Sequence, residues 1–234
     1  EKYQHGKKFA LSLGIKAAAH DLLLLTDADC QPVSKNWISR MVSKYQPATE
    51  LIIGYGGYKK LPGFLNKWIR MDTVFNAVQY LSSALAHDPY MGVGRNLSYR
   101  KSLFFKNKGF ASHSHVMSGD DDLFVNQTAN NLNTKVELHA DSFTSSNPRT
   151  TFSGWLHQKK RHMSTGKYYK AGHKMAIGAF FMSHFLFYLS LVALIVMGLR
   201  WEIVVGVALV RLLVQMIIFG KCMKKLGEFD IIWM

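Results

Sequence analysis

Residues 22–30 read Leu22-Leu23-Leu24-Leu25-Thr26-Asp27-Ala28-Asp29-Cys30. A short, continuous apolar run bounded by polar residues suits a strand buried on both faces. Two carboxylates, one residue apart, stand where that strand runs out. In open α/β sheets ligands bind in the crevice beyond the carboxyl ends of the strands, so Asp27 and Asp29 are expected to project into such a crevice. Two hard oxygen donors there suit Mg²⁺ or Mn²⁺. A lone Asp-x-Asp equally fits a solvated turn with a helix-capping Asp, so the rest of the chain has to decide.

Ahead of this strand, residues 6–19 have helix-forming composition, with Phe9, Leu13 and Ala17 on one stripe. The strand is then expected to run parallel to whatever strand precedes it, as in a βαβ unit. Behind it, Pro32 and Ser34 signal the start of a helix over 36–45, and residues 51–55 read as a second strand. Residues 62–85 have helical period, with Phe64, Leu65, Trp68, Met71, Phe75, Val78 and Leu81 expected to face inward. A helix over 119–130 is expected, capped by Ser118, with Asp120, Asp121 and Asp122 in its first turn. The macrodipole alone accounts for acids at such a position, but three in a row repel one another and demand solvent or cations. Residues 137–143 read as a last strand and 145–151 as a loop.

The chain has 234 residues, of which 48% are hydrophobic and 19% charged, a composition that excludes disorder. A net charge of +14 calls for an anionic partner. No acidic residue falls between Asp141 and Glu202, while Lys159, Lys160, Arg161, Lys167, Lys170 and Lys174 crowd the start of that stretch. Basic charge pressed against an apolar segment points to a membrane surface ahead of nucleic acid. The two cysteines, Cys30 and Cys222, suggest neither a disulfide framework nor a zinc site. Cys30 reads as a small buried residue at a strand end.

Residues 175–199 carry no formal charge. A helix over them would run roughly 37 Å, enough to cross a hydrocarbon core of about 30 Å. Residues 201–220 form a second span, with Glu202 at its mouth and Arg211 inside it. A mid-span Arg usually faces protein or water. The very short connection makes the two spans an antiparallel hairpin. Basic clusters at both outer ends place those ends in the cytoplasm by the positive-inside rule. The chain starts at Glu1-Lys2-Tyr3 and stops at Trp233-Met234 without polar closure, and so reads as a piece of a longer protein.

Beyond Asp27 and Asp29 come Gly92-Val93-Gly94-Arg95-Asn96, then Gly119-Asp120-Asp121-Asp122-Leu123, then Gln158-Lys159-Lys160-Arg161-His162. With Gly6-Lys7 and Ala10-Leu11 ahead of the first strand, this ordered set resembles the family 2 inverting glycosyltransferases, which include the membrane-bound relatives of cellulose and hyaluronan synthases. The resemblance covers roughly residues 6–170. It implies a partial GT-A (Rossmann-like) α/β domain over 1–153 that lacks the N-terminal nucleotide-binding strands. A basic interfacial segment carrying the Gln-x-x-Arg motif would follow over 154–172, and two transmembrane helices with a tail over 173–234. It further implies Asp121 as general base with Asp120 as its acidic neighbour, and Asp29 and Asp27 at the metal. Lys7, Asn96, Gln158, Arg161 and His162 would lie at the donor or acceptor.

The implied partners are a UDP-sugar donor, Mg²⁺ or Mn²⁺, a lipid-linked or glycan acceptor and the inner (cytoplasmic) membrane, with no nucleic acid. One departure stands out: His162 occupies the place where the family motif usually ends in Trp. A smaller, ionisable ring holds a sliding polymer less well, so transfer of one or a few sugars is expected rather than processive synthesis. Two other readings compete, a metal-dependent phosphoryl-transfer enzyme or nuclease at the membrane, and a non-enzymatic membrane scaffold. Whether Asp27, Asp29 and Asp121 converge on one cleft separates them.

Overall fold

The computed structural model describes residues 6–198 and 200–233; Glu1-Lys2-Tyr3, Leu199 and Met234, on which parts of the sequence reading rest, lie outside them. The chain divides into a first unit ending at Tyr169, which also takes in Trp233, and a second from Lys170 to Ile232.

A mixed four-stranded sheet forms the centre of the first unit. It is built from β1 (Leu22–Leu25), β3 (Leu51–Gly54), β5 (Leu97–Arg100) and β6 (Thr134–Glu137), in the order β1-β5-β3-β6. β5 pairs antiparallel with both β1 and β3, and β3 pairs parallel with β6. Leu51, Ile52 and Ile53 are fully buried, as a central strand covered on both faces requires. A second, three-stranded sheet joins β2 (Cys30–Pro32), β7 (Thr144–Ser146) and β4 (Gly56–Tyr58).

β1 corrects the first expectation. Among the described residues it pairs only with β5, at the sheet edge, and all four leucines are only half-buried. Its apolar run therefore marks an edge strand, flanked by a groove that Leu11, Ile15 and Ala18 share with the leucines. No strand precedes β1 among the described residues, so the expected parallel pairing has no partner there.

Two helices present a different face from the one their periodicity suggested. In α1 (Lys7–Ala17) the buried residues are Lys8 and Ile15, while Phe9 and Leu13 are exposed. Lys8 turns inward because its ammonium donates to the carbonyls of His113 and Val116, at 2.7 and 2.9 Å. In α3 (Phe64–Leu85) the buried face is Ile69, Thr73, Val74, Ala77, Tyr80, Leu81 and Ala84. Phe64 is 72% and Trp68 43% exposed. Small and branched side chains let this helix lie close to the sheets, and Tyr80 Oη donates to Gly54 O at 3.2 Å. Phe64 and Trp68 instead stack on each other, and Trp68 meets Trp155 edge-on.

The remaining helices of this unit are α2 (Trp37–Val42), α4 (Lys101–Lys106), α5 (Asp122–Thr128) and α6 (Phe152–Met163). α5 is capped by Asp121, not Ser118: its Oδ1 accepts the Asp122 amide at 2.8 Å. The strand expected over 137–143 does not form, since only Glu137 of that stretch lies in a strand. β6 ends at Glu137, a 3₁₀ turn covers Ala140–Ser142, and β7 occupies the expected loop.

The second unit is a pair of packed helices, α7 (Ala171–Val196) and α8 (Trp201–Leu226). Each is long and apolar enough to cross a membrane, and almost none of either is buried. The turn between them uses Gly198 and Arg200 at positive φ, +67° and +45°. Arg211 lies 3.8 Å over the Phe187 ring and 5.7 Å from that of Tyr188, an arrangement in which neighbouring aromatics hold the mid-helix cation. Gly227, at φ +74°, closes α8 with amide bonds back to its last turn.

Candidate functional site

Three backbone ends meet beside Gly94. β1 delivers Asp27, the first turn of α1 delivers Lys7, and the loop into α5 delivers Asp120 and Asp121. Lys7 Nζ bridges Asp27 Oδ1 at 2.6 Å and Asp120 Oδ2 at 2.7 Å. The Gly94 amide donates to Asp121 Oδ2 at 2.7 Å. A side chain at Gly94 would start 3.2 Å from Asp121 Oδ2, 3.3 Å from Lys7 Nζ and 3.4 Å from Asp27 Oδ1. A Cβ here would press on Asp121 and Lys7, which would have to give by a few tenths of an ångström, and would meet Asp27 in ordinary contact. The two motifs, far apart in sequence, converge on Lys7 and Gly94.

Asp29 lies on the other flank of Asp27. Its Oδ2 accepts from Ser146 Oγ at 3.0 Å. One ligand atom each from Asp27, Asp29 and Cys30 fit within 4.8 Å of one another. Desolvation, then Asp27 and Asp29, raise the Cys30 thiol above its ordinary value, which leaves the two carboxylates as the donors of choice. That set, close to further carboxylates balanced by one ammonium, fits a hard divalent cation.

The Gln-x-x-Arg segment lies on α6. Gln158 Nε2 makes a long 3.4 Å bond to Tyr58 Oη at the end of β4, and Lys159 pairs with Asp72 of α3 at 2.8 Å. His162 lies within electrostatic reach of Asp27 and Arg95. Desolvation, with Arg161, Arg95 and Lys159 around it, pushes its pKa down to about 4, so the ring is neutral at physiological pH. Arg161 is exposed and touches His162 Nε2 at 3.4 Å.

Asn96 does not present its amide to the cleft. Its Oδ1 accepts from Trp37 Nε1 at 3.0 Å, and its Nδ2 donates to Tyr55 O at 2.9 Å and Ser142 O at 2.7 Å. With 0% of the residue exposed, its hydrogen bonds are spent joining α2 to the segments around β4 and β7.

The family model described as Glycosyl transferase family 21 matches residues 6–234. The chain belongs to this family. The motif order read from the sequence resembled family 2, so the glycosyltransferase assignment stands and the family number differs. A GT-A-like α/β domain followed by two long apolar helices is the architecture of this family 21 chain. A search of curated proteins finds no match. Among solved structures it is similar to the "Mannosyltransferase PcManGT from Pyrobaculum calidifontis in complex with GDP-Man and Mn2+". That likeness is 13% identity at a TM-score of 0.49, over 98% of this chain and 65% of the other. The family 21 chain therefore spans just under two thirds of that structure's length.

In the family 21 chain the acid pair next to Asp121 is electrostatically loaded. Desolvation and the Asp121 charge raise Asp120, against the pull of Lys7. The same two causes push Asp122 up to about 6, although Thr165 Oγ1 and Tyr169 Oη (2.9 Å) both donate to its Oδ2. For Lys7, desolvation is outweighed by Asp120, Asp27 and Asp121, which hold its ammonium firmly protonated. Sequence reasoning left Asp122 without a role. The structure gives it one: it ties the start of α5 to the segment that follows the Gln-x-x-Arg helix. Its partners lie 43 and 47 residues away, a pairing that no local pattern marks. Arg95, quoted in its motif and not selected, stands beside the cleft as well.

Proposed function

We propose that this chain is the catalytic part of a membrane-anchored, inverting glycosyltransferase. It would transfer a sugar from a nucleoside-diphosphate sugar to a hydroxyl of a lipid-linked or cell-envelope glycan. The observation that carries this reading is the convergence of Asp27, Asp120 and Asp121 around Lys7 and Gly94, with Asp29 alongside. Asp121 takes the proton of the acceptor hydroxyl, in a carboxylate aimed by the amides of Gly94 and Asp122. As the acceptor oxygen bonds to the anomeric carbon from the far face, the bond from that carbon to the diphosphate breaks, and the centre inverts. Asp29 and Asp27 would hold Mg²⁺ or Mn²⁺, whose chemistry is to neutralise charge on the leaving diphosphate. Lys7 offsets the repulsion between Asp27 and Asp120, and Gln158, Arg161 and His162 would lie at the donor or acceptor.

The two long apolar helices support anchoring in the inner (cytoplasmic) membrane, with the acidic site on the cytoplasmic side where nucleotide sugars are made. With His162, a smaller ring, in place of the family's Trp, the product would be one or a few sugars long. The test uses the full-length protein in detergent with UDP- and GDP-sugars, Mg²⁺ or Mn²⁺, and product sizing. Sugar transfer that chelator abolishes is the expected result. Transfer undiminished in chelator would remove the metal role from Asp27 and Asp29, and phosphodiester cleavage without sugar transfer would replace the reading altogether.

A further inference from the structure

Arg95 follows Gly94 directly and is held from two sides: Thr26 Oγ1 and Thr144 Oγ1 both donate to its carbonyl at 2.9 Å. Its guanidinium carbon lies 4.6 Å from the centroid of the Tyr58 ring, the same tyrosine that Gln158 reaches. Nη1 is buried and has no hydrogen-bond partner among the described residues. Other cations nearby in the fold are matched to carboxylates: Lys7 to Asp27 and Asp120, Lys159 to Asp72, Arg100 to Asp21. For Arg95 no described carboxylate lies within ion-pair distance, and its close neighbours are Tyr55, Tyr58, Tyr80 and Cys30.

Burying a charge without a counter-ion is costly, and Arg cannot escape by losing its proton. Local rules broken in this way collect at sites where a ligand completes the pairing. The Tyr58 face fixes the guanidinium plane. Planar N–H forks match the oxygens of phosphate.

We propose that Arg95 is the oxyanion receptor of this site, donating from its guanidinium to a phosphate oxygen of a substrate. The proposal rests on the glycosyltransferase reading for the identity of that substrate. Phosphate oxygens come there from two sources, the diphosphate of the donor and a phosphate that links an acceptor to its lipid.

The test uses the full-length protein in detergent with Mn²⁺ and titration calorimetry. GDP and UDP probe the donor source, and a short isoprenyl phosphate, with its parent alcohol as control, probes the acceptor source. Arg95→Met should weaken binding of one phosphate class by about ten- to a hundred-fold, the loss of one charge-assisted hydrogen bond. Binding of the uncharged alcohol should stay unchanged, and Arg95→Lys should recover part of the loss. The ligand-free Tm of Arg95→Met should equal or exceed that of wild type, because an uncompensated buried charge has gone. The arm that loses affinity names the source. Equal affinities for every phosphate probe in wild type and Arg95→Met would overturn the proposal. So would failure of every phosphate probe to bind wild type, or failure of Arg95→Met to fold. If the phosphates bind through Arg95 while no nucleotide sugar supports transfer, the receptor stands and the glycosyltransferase reading falls.

Discussion

Asp121 is aimed by two backbone amides, one from Gly94 and one from its own helix at Asp122. Asp121→Asn preserves shape while removing the proton acceptor. Transfer should therefore fall by about 10²–10⁴-fold with donor affinity retained; equal rates would pass the role to Asp120. Asp122 makes a separate prediction in stability. Its carboxyl is raised from 3.8 to about 6 in the folded protein, by desolvation first and Asp121 second. The folded state thus holds this proton more tightly than the unfolded chain. The contribution is full below about pH 4 and is lost as pH rises through 6, a total of at most about 3 kcal/mol. Asp122→Asn does not titrate, so the stability of wild type relative to this variant should decline between pH 4 and 6.5 and then level off. Thermal unfolding of both proteins across that range checks the sign, and a difference that grows with pH would refute it.

At the scale of elements, the strands and helices were largely visible as periodic or apolar runs, and their faces were not. α1 and α3 both turned. The amphipathic stripe assumes that the largest apolar residues go inward, whereas Lys8 was drawn in by the carbonyls of His113 and Val116 and α3 buries a face that runs from Ile69 through Thr73 and Ala77 to Tyr80 and Ala84. The same competition decides Asn96. In sequence it follows a Gly-x-Gly and looks like a ligand contact; in the fold it is a polar staple. Asn96→Ala leaves Tyr55 O and Ser142 O without their amide donor and Trp37 Nε1 without its acceptor. Tyr55 O keeps its bond from the Thr144 amide, while each buried group left without a partner costs about 1–3 kcal/mol, so denaturant unfolding should show a loss of several kcal/mol. Donor affinity of the folded fraction should change little. A stable variant with lost donor binding would restore the ligand reading.

For the whole molecule, the candidate spans make the most direct prediction. Each helix has 26 residues and measures about 39 Å, more than the ~30 Å of hydrocarbon. Their short connection returns the chain to the side it came from. Cysteines placed near Arg200 and Glu202 should label from outside intact cells, and those near Lys159 and Lys224 only after permeabilisation. The reverse pattern would put the acid cluster away from its donor and count heavily against the proposed enzyme.

By itself the sequence determined most of the helices and the strands at 22–25 and 51–54, the acidic motifs and their order, and the two apolar helices. These depend on local composition and period, which a linear chain carries openly. The tertiary structure alone decided that Asp27, Asp120 and Asp121 gather around Lys7 and Gly94. It also decided that Asn96 is spent inside the fold, that Asp122 reaches Thr165 and Tyr169, and that Arg95 is left with a buried, unpaired donor. Such facts depend on which distant groups compete for one hydrogen bond or one charge, and that competition exists only once the chain has closed on itself.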